Sequence, residues 1–123
     1  MANAESAEMY LETIYVLSKQ LDNVRKVDVS KQLNYAKPSI TRGISLLQKR
    51  GLVEVDEAGN ITMTAEGKKL AKRVYDRHTT LTAVFMKLGV DEKTAADDAC
   101  RIEHFISDKT FNAIKKHLKT FEK

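Results

Sequence analysis

The chain keeps one hydrophobic period except in a single place. Leu52-Val53-Glu54-Val55-Asp56 alternates apolar and polar residues, Glu57-Ala58-Gly59-Asn60 has turn chemistry, and Ile61-Thr62-Met63-Thr64 alternates again. Period-two alternation on either side of a glycine-containing turn predicts a short β-hairpin. Elsewhere apolar residues return at the 3.6-residue spacing of an amphipathic helix, and only five glycines and one proline interrupt 123 residues. The chain is therefore expected to be mostly helical, with the order of elements around the hairpin deciding its architecture.

That order is readable from stripes and punctuation. A first helix is expected from about Ala4 to Leu21, with Ala7, Tyr10, Ile14, Leu17 and Leu21 facing inward and Asp22-Asn23 ending it. Val24-Arg25-Lys26-Val27 reads as a short extended piece, and Asp28 as the N-cap of a second helix through about Leu33. Asn34-Tyr35-Ala36-Lys37 is a turn. Pro38 suits the first turn of a third helix, where its missing N–H is not needed. Ile40, Ile44 and Leu47 are its inner face, Arg50 its end and Gly51 its cap. Gly43 lies inside this helix, at about 1 kcal/mol relative to alanine, and nothing local explains it. After the hairpin, Thr64 caps a long helix to about Leu88 with the stripe Leu70, Val74, Leu81, Val84, Phe85 and Leu88, and Gly89 stops it. Asp91 caps a helix to about Phe105, and Ser107 a last one to about Phe121.

Helix, short strand, helix, tight turn, helix, hairpin is the order of a winged helix-turn-helix. In that arrangement the third helix fits the major groove and the hairpin wing lies along the backbone. Charge agrees with it. The net charge is only +4, but between Arg25 and Arg50 stand Arg25, Lys26, Lys31, Lys37, Arg42, Lys49 and Arg50 against the single acid Asp28. A local basic block in a near-balanced chain points to a polyanion, here double-stranded DNA. Ser39, Thr41 and Arg42, following Pro38 in the first turns of the third helix, are placed to reach base edges, with the lysines and remaining arginines on phosphates. The plainer alternative is a helical domain whose third helix merely packs and whose lysines are solvated. With 42% hydrophobic residues the chain can bury one modest core or two small ones that share an interface. No run approaches the ~18 apolar residues of a membrane span. The start Met-Ala-Asn-Ala-Glu-Ser is not a signal peptide, and the single cysteine rules out a disulfide within the chain, so a reducing, cytoplasmic setting is expected.

Cys100, Glu103 and His104 fall at i, i+3 and i+4 of Asp97-Asp98-Ala99-Cys100-Arg101-Ile102-Glu103-His104. On a helix a thiolate, a carboxylate and an imidazole would share one face, a donor set suited to a divalent transition metal. By spacing alone it is equally a half-buried cysteine beside an exposed Glu–His pair. A thiol–base enzyme is disfavoured, because neighbours on one helix do not converge on a substrate and no oxyanion device accompanies them.

Four stretches together resemble the iron-dependent repressors related to the diphtheria toxin repressor, with the manganese-responsive branch similar in length. They are Glu8-Met9-Tyr10-Leu11-Glu12-Thr13-Ile14-Tyr15, Pro38-Ser39-Ile40-Thr41, Leu52-Val53 through Thr64-Ala65-Glu66-Gly67, and Cys100-Arg101-Ile102-Glu103-His104. The resemblance covers nearly the whole chain, and the motifs in order are far more specific than any one of them. It implies a DNA-binding winged helix-turn-helix over residues 1–72 and a helical dimerisation and metal-binding domain over 73–123. It also implies that Met9 joins Cys100, Glu103 and His104 in an activating metal site. Manganese-type members have acids in place of Met9 and Cys100, so the softer set here favours Fe²⁺, with Mn²⁺ the alternative. Thr82 and Ala96 replace two ligands of the iron-type second site, which His78 would otherwise serve. Glu12 and His78 match the manganese-type binuclear site, so with Glu103 they imply a possible second ion, one or two per subunit. Asp97 is a further carboxylate one turn before Cys100. The implied function is a metal-gated repressor that meets a palindromic operator as a homodimer. The competing reading is a winged-helix regulator indifferent to metal.

Overall fold

A computed structural model describes the backbone of residues 4–121 and the side chains of residues 6–120. Along them follow α1 (Ala4–Gln20), α2 (Lys26–Leu33), α3 (Lys37–Lys49), β1 (Val53–Val55), β2 (Ile61–Met63), α4 (Ala65–Lys87), α5 (Glu92–Ile102) and α6 (Asp108–Phe121). The fold is the expected one, mostly α with an N-terminal winged helix-turn-helix and helices after it. The chain divides into two compact units, Met1–Lys72 and Arg73–Lys123, and the division falls within α4. Among the described residues no helix is long and apolar enough to cross a membrane.

In the first unit α1, α2 and α3 close over Ala7, Tyr10, Leu11, Ile14, Val29, Ile40, Ile44 and Leu47. Leu11, outside the expected stripe, is wholly buried, whereas Leu21 at the far end of that stripe is exposed. The α2 start differs from expectation. The helix begins at Lys26, and Arg25 is its N-cap, in extended conformation. Asp28 sits one turn in, and its Oδ2 accepts the Arg25 N–H at 2.9 Å. This is the return half of a capping box: from inside the helix the carboxylate satisfies the backbone N–H of the N-cap residue. The extended piece shrinks to Val24, whose carbonyl accepts the Ile61 N–H at 2.7 Å. Asn34 closes α2 in the left-handed region at φ 58°, a conformation asparagine tolerates.

Gly43 now has a reason. A Cβ there would stand 2.5 Å from the Tyr10 ring, so the glycine lets α1 and α3 approach at full aromatic contact. The Tyr10 hydroxyl reaches the Ser39 carbonyl at 3.4 Å, and burial raises its pKa above the ordinary phenol value. The wing is a two-stranded antiparallel ladder pairing Val53 with Met63 and Val55 with Ile61. Its base is fixed by Thr64, whose hydroxyl donates to Gly51 O at 2.7 Å and accepts the Gly67 N–H at 3.0 Å, as an N-cap should.

The second unit packs Leu81, Ala99 and Phe111 with Phe85, Ile106 and Ile114. Asp91 caps α5 by accepting the Thr94 N–H, and Ser107 caps α6 by accepting that of Thr110. Two expectations fail here. Leu88 is 71% exposed rather than inward, because α4 ends at Lys87 and the chain turns away. α5 stops at Ile102, short of Phe105. The cause is tertiary: Arg77, buried in α4, donates to the carbonyls of Glu103 at 3.0 Å and Ile106 at 2.6 Å. Those carbonyls are thereby taken by a side chain from another helix, which the periodicity of α5 itself does not register.

Candidate metal centre and nucleic-acid interface

α5 buries Ala95 and Ala99, and at about 100° per residue the same stripe carries the chain inward again at Glu103. Glu103 has no solvent exposure, and the His104 side chain is 5% exposed. Cys100 lies at the margin of the stripe and is at the surface. The three residues therefore do not share one environment. Asp97, on the opposite side of α5, is exposed, and its Oδ2 lies 3.4 Å from Lys93 Nζ.

Two imidazoles flank the Glu103 carboxylate. His78 Nδ1 is 2.9 Å from Oε2, and His104 Nε2 is 3.3 Å from Oε1. With the carboxylate ionised, His78 Nδ1–H donates, which fixes the tautomer and leaves the lone pair on Nε2. Oε1 is buried and accepts no hydrogen bond among the described residues. A wholly buried carboxylate oxygen in that condition is costly, and a cation would relieve it. Carboxylate and imidazole donors suit a divalent transition metal, so the residues present fit such an ion.

The sequence reading missed Arg77 as the residue that positions Glu103. A signal for it existed: the apolar stripe of α4 skips one turn between Val74 and Leu81, and Arg77 and His78 stand in that gap. Arg77 is itself held by Asp108, which also pairs with Arg73 at 2.7 Å. Hydrogen bonds from Arg73 and then Arg77 keep the Asp108 carboxyl below the usual aspartate range.

In the first unit Met9 and Glu12 lie three residues apart on α1 and are half-buried. Met9 Sδ accepts the Tyr35 hydroxyl at 3.7 Å. Lys26, Lys37, Pro38, Thr41, Arg42, Lys49 and Arg50 are exposed, on α2, on α3 or just after it. Lys26, Lys37 and Thr41 line a cleft between the two helices together with Val27 and Ile40. Ser39 is half-buried, and its hydroxyl lies 3.4 Å from Arg42 Nη2. Arg25 is less available than its charge suggests, since its guanidinium donates to the Ala58 carbonyl at the wing turn.

The sequence matches the N-terminal DNA binding domain of the iron dependent repressors over residues 4–60, and their metal binding and dimerisation domain over residues 64–123. An uncharacterized HTH-type transcriptional regulator of Methanocaldococcus jannaschii is 32% identical over 97% of either chain. The diphtheria toxin repressor of Corynebacterium diphtheriae is 29% identical over 94% of this chain and 51% of its own. Among solved structures, a manganese-dependent transcriptional repressor in complex with manganese superposes with a TM-score of 0.84 at 25% identity, over 92% of this chain and 52% of that one. The chain thus spans about half the length of the last two. With both domain matches in order and a full-length relative above 30% identity, the chain belongs to the family of iron dependent repressors.

Proposed function

We propose that this chain is a metal-dependent repressor that binds a palindromic operator as a homodimer, with Fe²⁺ the favoured ion and Mn²⁺ the alternative. The observation that carries the proposal is Glu103: a carboxylate without solvent exposure, set between two imidazoles, in a family defined by metal binding. Residues 1–72 are the proposed DNA-binding domain and 73–123 the dimerisation and metal-binding domain. Met9, Cys100, Glu103 and His104 are the proposed donors of a first ion, and Glu12 and His78 join Glu103 around a second. Asp97 is the weakest member of the set, being solvated and beside Lys93. A bound cation supplies positive charge against the Glu103 carboxylate and coordination bonds to these donors.

The chain's own residues do the rest. Arg77 holds the Glu103 backbone, and His78 orients its carboxylate, with His104 beside the other oxygen. Occupancy can raise DNA affinity only by favouring the DNA-competent arrangement over others. Thr41 and Arg42 are the proposed base-reading residues, with Lys26, Lys37, Lys49 and Arg50 on phosphates. Pro38 and Ser39 set the start of α3. Met86, Leu88, Ile102 and Phe105 are large apolar side chains exposed in the second unit, which supports a homodimer that covers them.

The test is fluorescence anisotropy on a duplex selected from a random palindromic pool, under anaerobic reducing conditions. Micromolar Fe²⁺ or Mn²⁺ is expected to raise affinity at least about tenfold, within the usual range of coupling free energies. Affinity unmoved by either ion overturns the proposal. Met9→Asp is expected to shift the preference toward Mn²⁺ by replacing a soft donor with a hard one. DNA binding left intact, with or without metal, in both Cys100→Ala and His104→Ala would instead favour the metal-indifferent regulator.

A further inference from the structure

The Met9 thioether is tied to the turn that precedes the recognition helix. Its sulfur accepts the hydroxyl of Tyr35 at 3.7 Å, and Tyr35 lies between α2 and α3. That tyrosine is held on both sides. Its carbonyl accepts the Ser30 hydroxyl at 2.7 Å, and its N–H donates to the Ser30 carbonyl at 3.3 Å. Its ring stands edge-on to Tyr10, with centroids 6.3 Å apart and planes at 80°. Tyr10 in turn presses on Gly43 and reaches the Ser39 carbonyl, both in α3. From Met9 to α3 the path is unbroken, and every member lies in the first unit.

We propose that Tyr35 is a positioning residue that fixes the Met9 thioether and links its engagement by a divalent cation to the start of α3. The proposal rests on Met9 being a metal donor. Methionine has three rotatable side-chain bonds and a polarisable sulfur, so an unsupported thioether would sample many positions. Sulfur is a weak acceptor that can still offer electron density to a metal while holding a hydroxyl. Drawing the sulfur toward a cation therefore pulls on, or releases, a hydroxyl whose ring is packed against the aromatic support of α3. Contiguity alone does not establish coupling, so the test has to read a response.

The full chain is labelled with ¹³Cε-methionine, ¹³Cζ-tyrosine and ¹⁵N, and titrated with Zn²⁺, which is diamagnetic, under reducing conditions. Zn²⁺ binding is followed separately by competition with a chromogenic chelator. The Met9 methyl, the Tyr35 Cζ and the Ser39 and Thr41 amides are expected to shift in step. Tyr35→Phe keeps the ring against Tyr10 and removes the hydroxyl. It is expected to bind Zn²⁺ within about tenfold of wild type, as befits one weak hydrogen bond, and to lose most of the response at Ser39 and Thr41. Met9→Leu is expected to silence the Tyr35 Cζ response. If the Met9 methyl shifts and Tyr35 does not, or if the amides of Tyr35→Phe respond as in wild type, Tyr35 is no link and the metal-dependent reading stands. If Zn²⁺ binds without moving the Met9 methyl, Met9 is not a donor and the proposal falls alone. If no Zn²⁺ binds, both fall.

Discussion

Glu103 sits where an acidic residue is hardest to keep. Its side chain is fully buried, and burial penalises a carboxylate far more than a neutral amide. Glu103→Gln preserves shape and a partner for His78 while removing the charge. It is expected to leave the metal-free melting temperature unchanged or higher, and to weaken metal binding by at least the 10–100-fold typical of losing even an outer-sphere partner. Thermal melts and chelator competition on the same preparations check both halves. A large drop in metal-free stability with metal affinity intact would mark Glu103 as a structural acceptor. The residue types of this site were legible in the sequence, but their environments were not. Cys100 and Glu103 are one turn apart, yet Glu103 follows the buried stripe of Ala95 and Ala99 past the end of α5 while Cys100 lies at its margin. That end is set by Arg77, which acts from a distant part of the sequence.

Elements in this fold meet at a few points where backbone touches backbone. A Cβ on Gly67 would lie 1.9 Å from the Leu52 carbonyl oxygen, so the first turn of α4 rests directly on the root of the wing. Gly67→Ala has no flexible neighbour to displace and is expected to lower stability by about 3 kcal/mol or more, at or beyond the upper end for overpacking. Thr64→Ala, which removes the cap and leaves the packing, is expected to lower it by about 1 kcal/mol. Chemical denaturation of the two variants side by side checks the ordering, and equal losses would mean that the close approach is readily relaxed. The local signals for these elements served well. Alternation placed the hairpin, and Thr64, Asp91 and Ser107 cap as their chemistry suggested. Asp28 shows where such signals stop: the right side chain was found, but its role as return partner of Arg25 depends on a helix start shifted by three residues. Gly43 and Gly67 were opaque because their reasons lie in Tyr10 and Leu52.

Across the whole molecule, charge sets the response to acid. Twenty-one lysines and arginines stand against seventeen acids, so protonating carboxylates drives the net charge upward from +4 and favours expansion. Asp108 concentrates part of this response, since Arg73 and Arg77 hold its folded pKa below the ordinary aspartate value. Its contribution to stability is complete above the unfolded value of about 3.9 and is lost as pH falls through the lower folded one. Unfolding followed by circular dichroism from pH 6 to 2 is expected to show Asp108→Asn as less stable than wild type near neutrality, with the gap closing in acid. A gap that persists at pH 2 would assign the loss to packing. The contact between Tyr10 and Gly43 also has a historical side. One position can enlarge only if the other shrinks, so in any lineage of this fold the two should change together or stay fixed. A lone change at either would leave α1 and α3 misfitted until the second arrived.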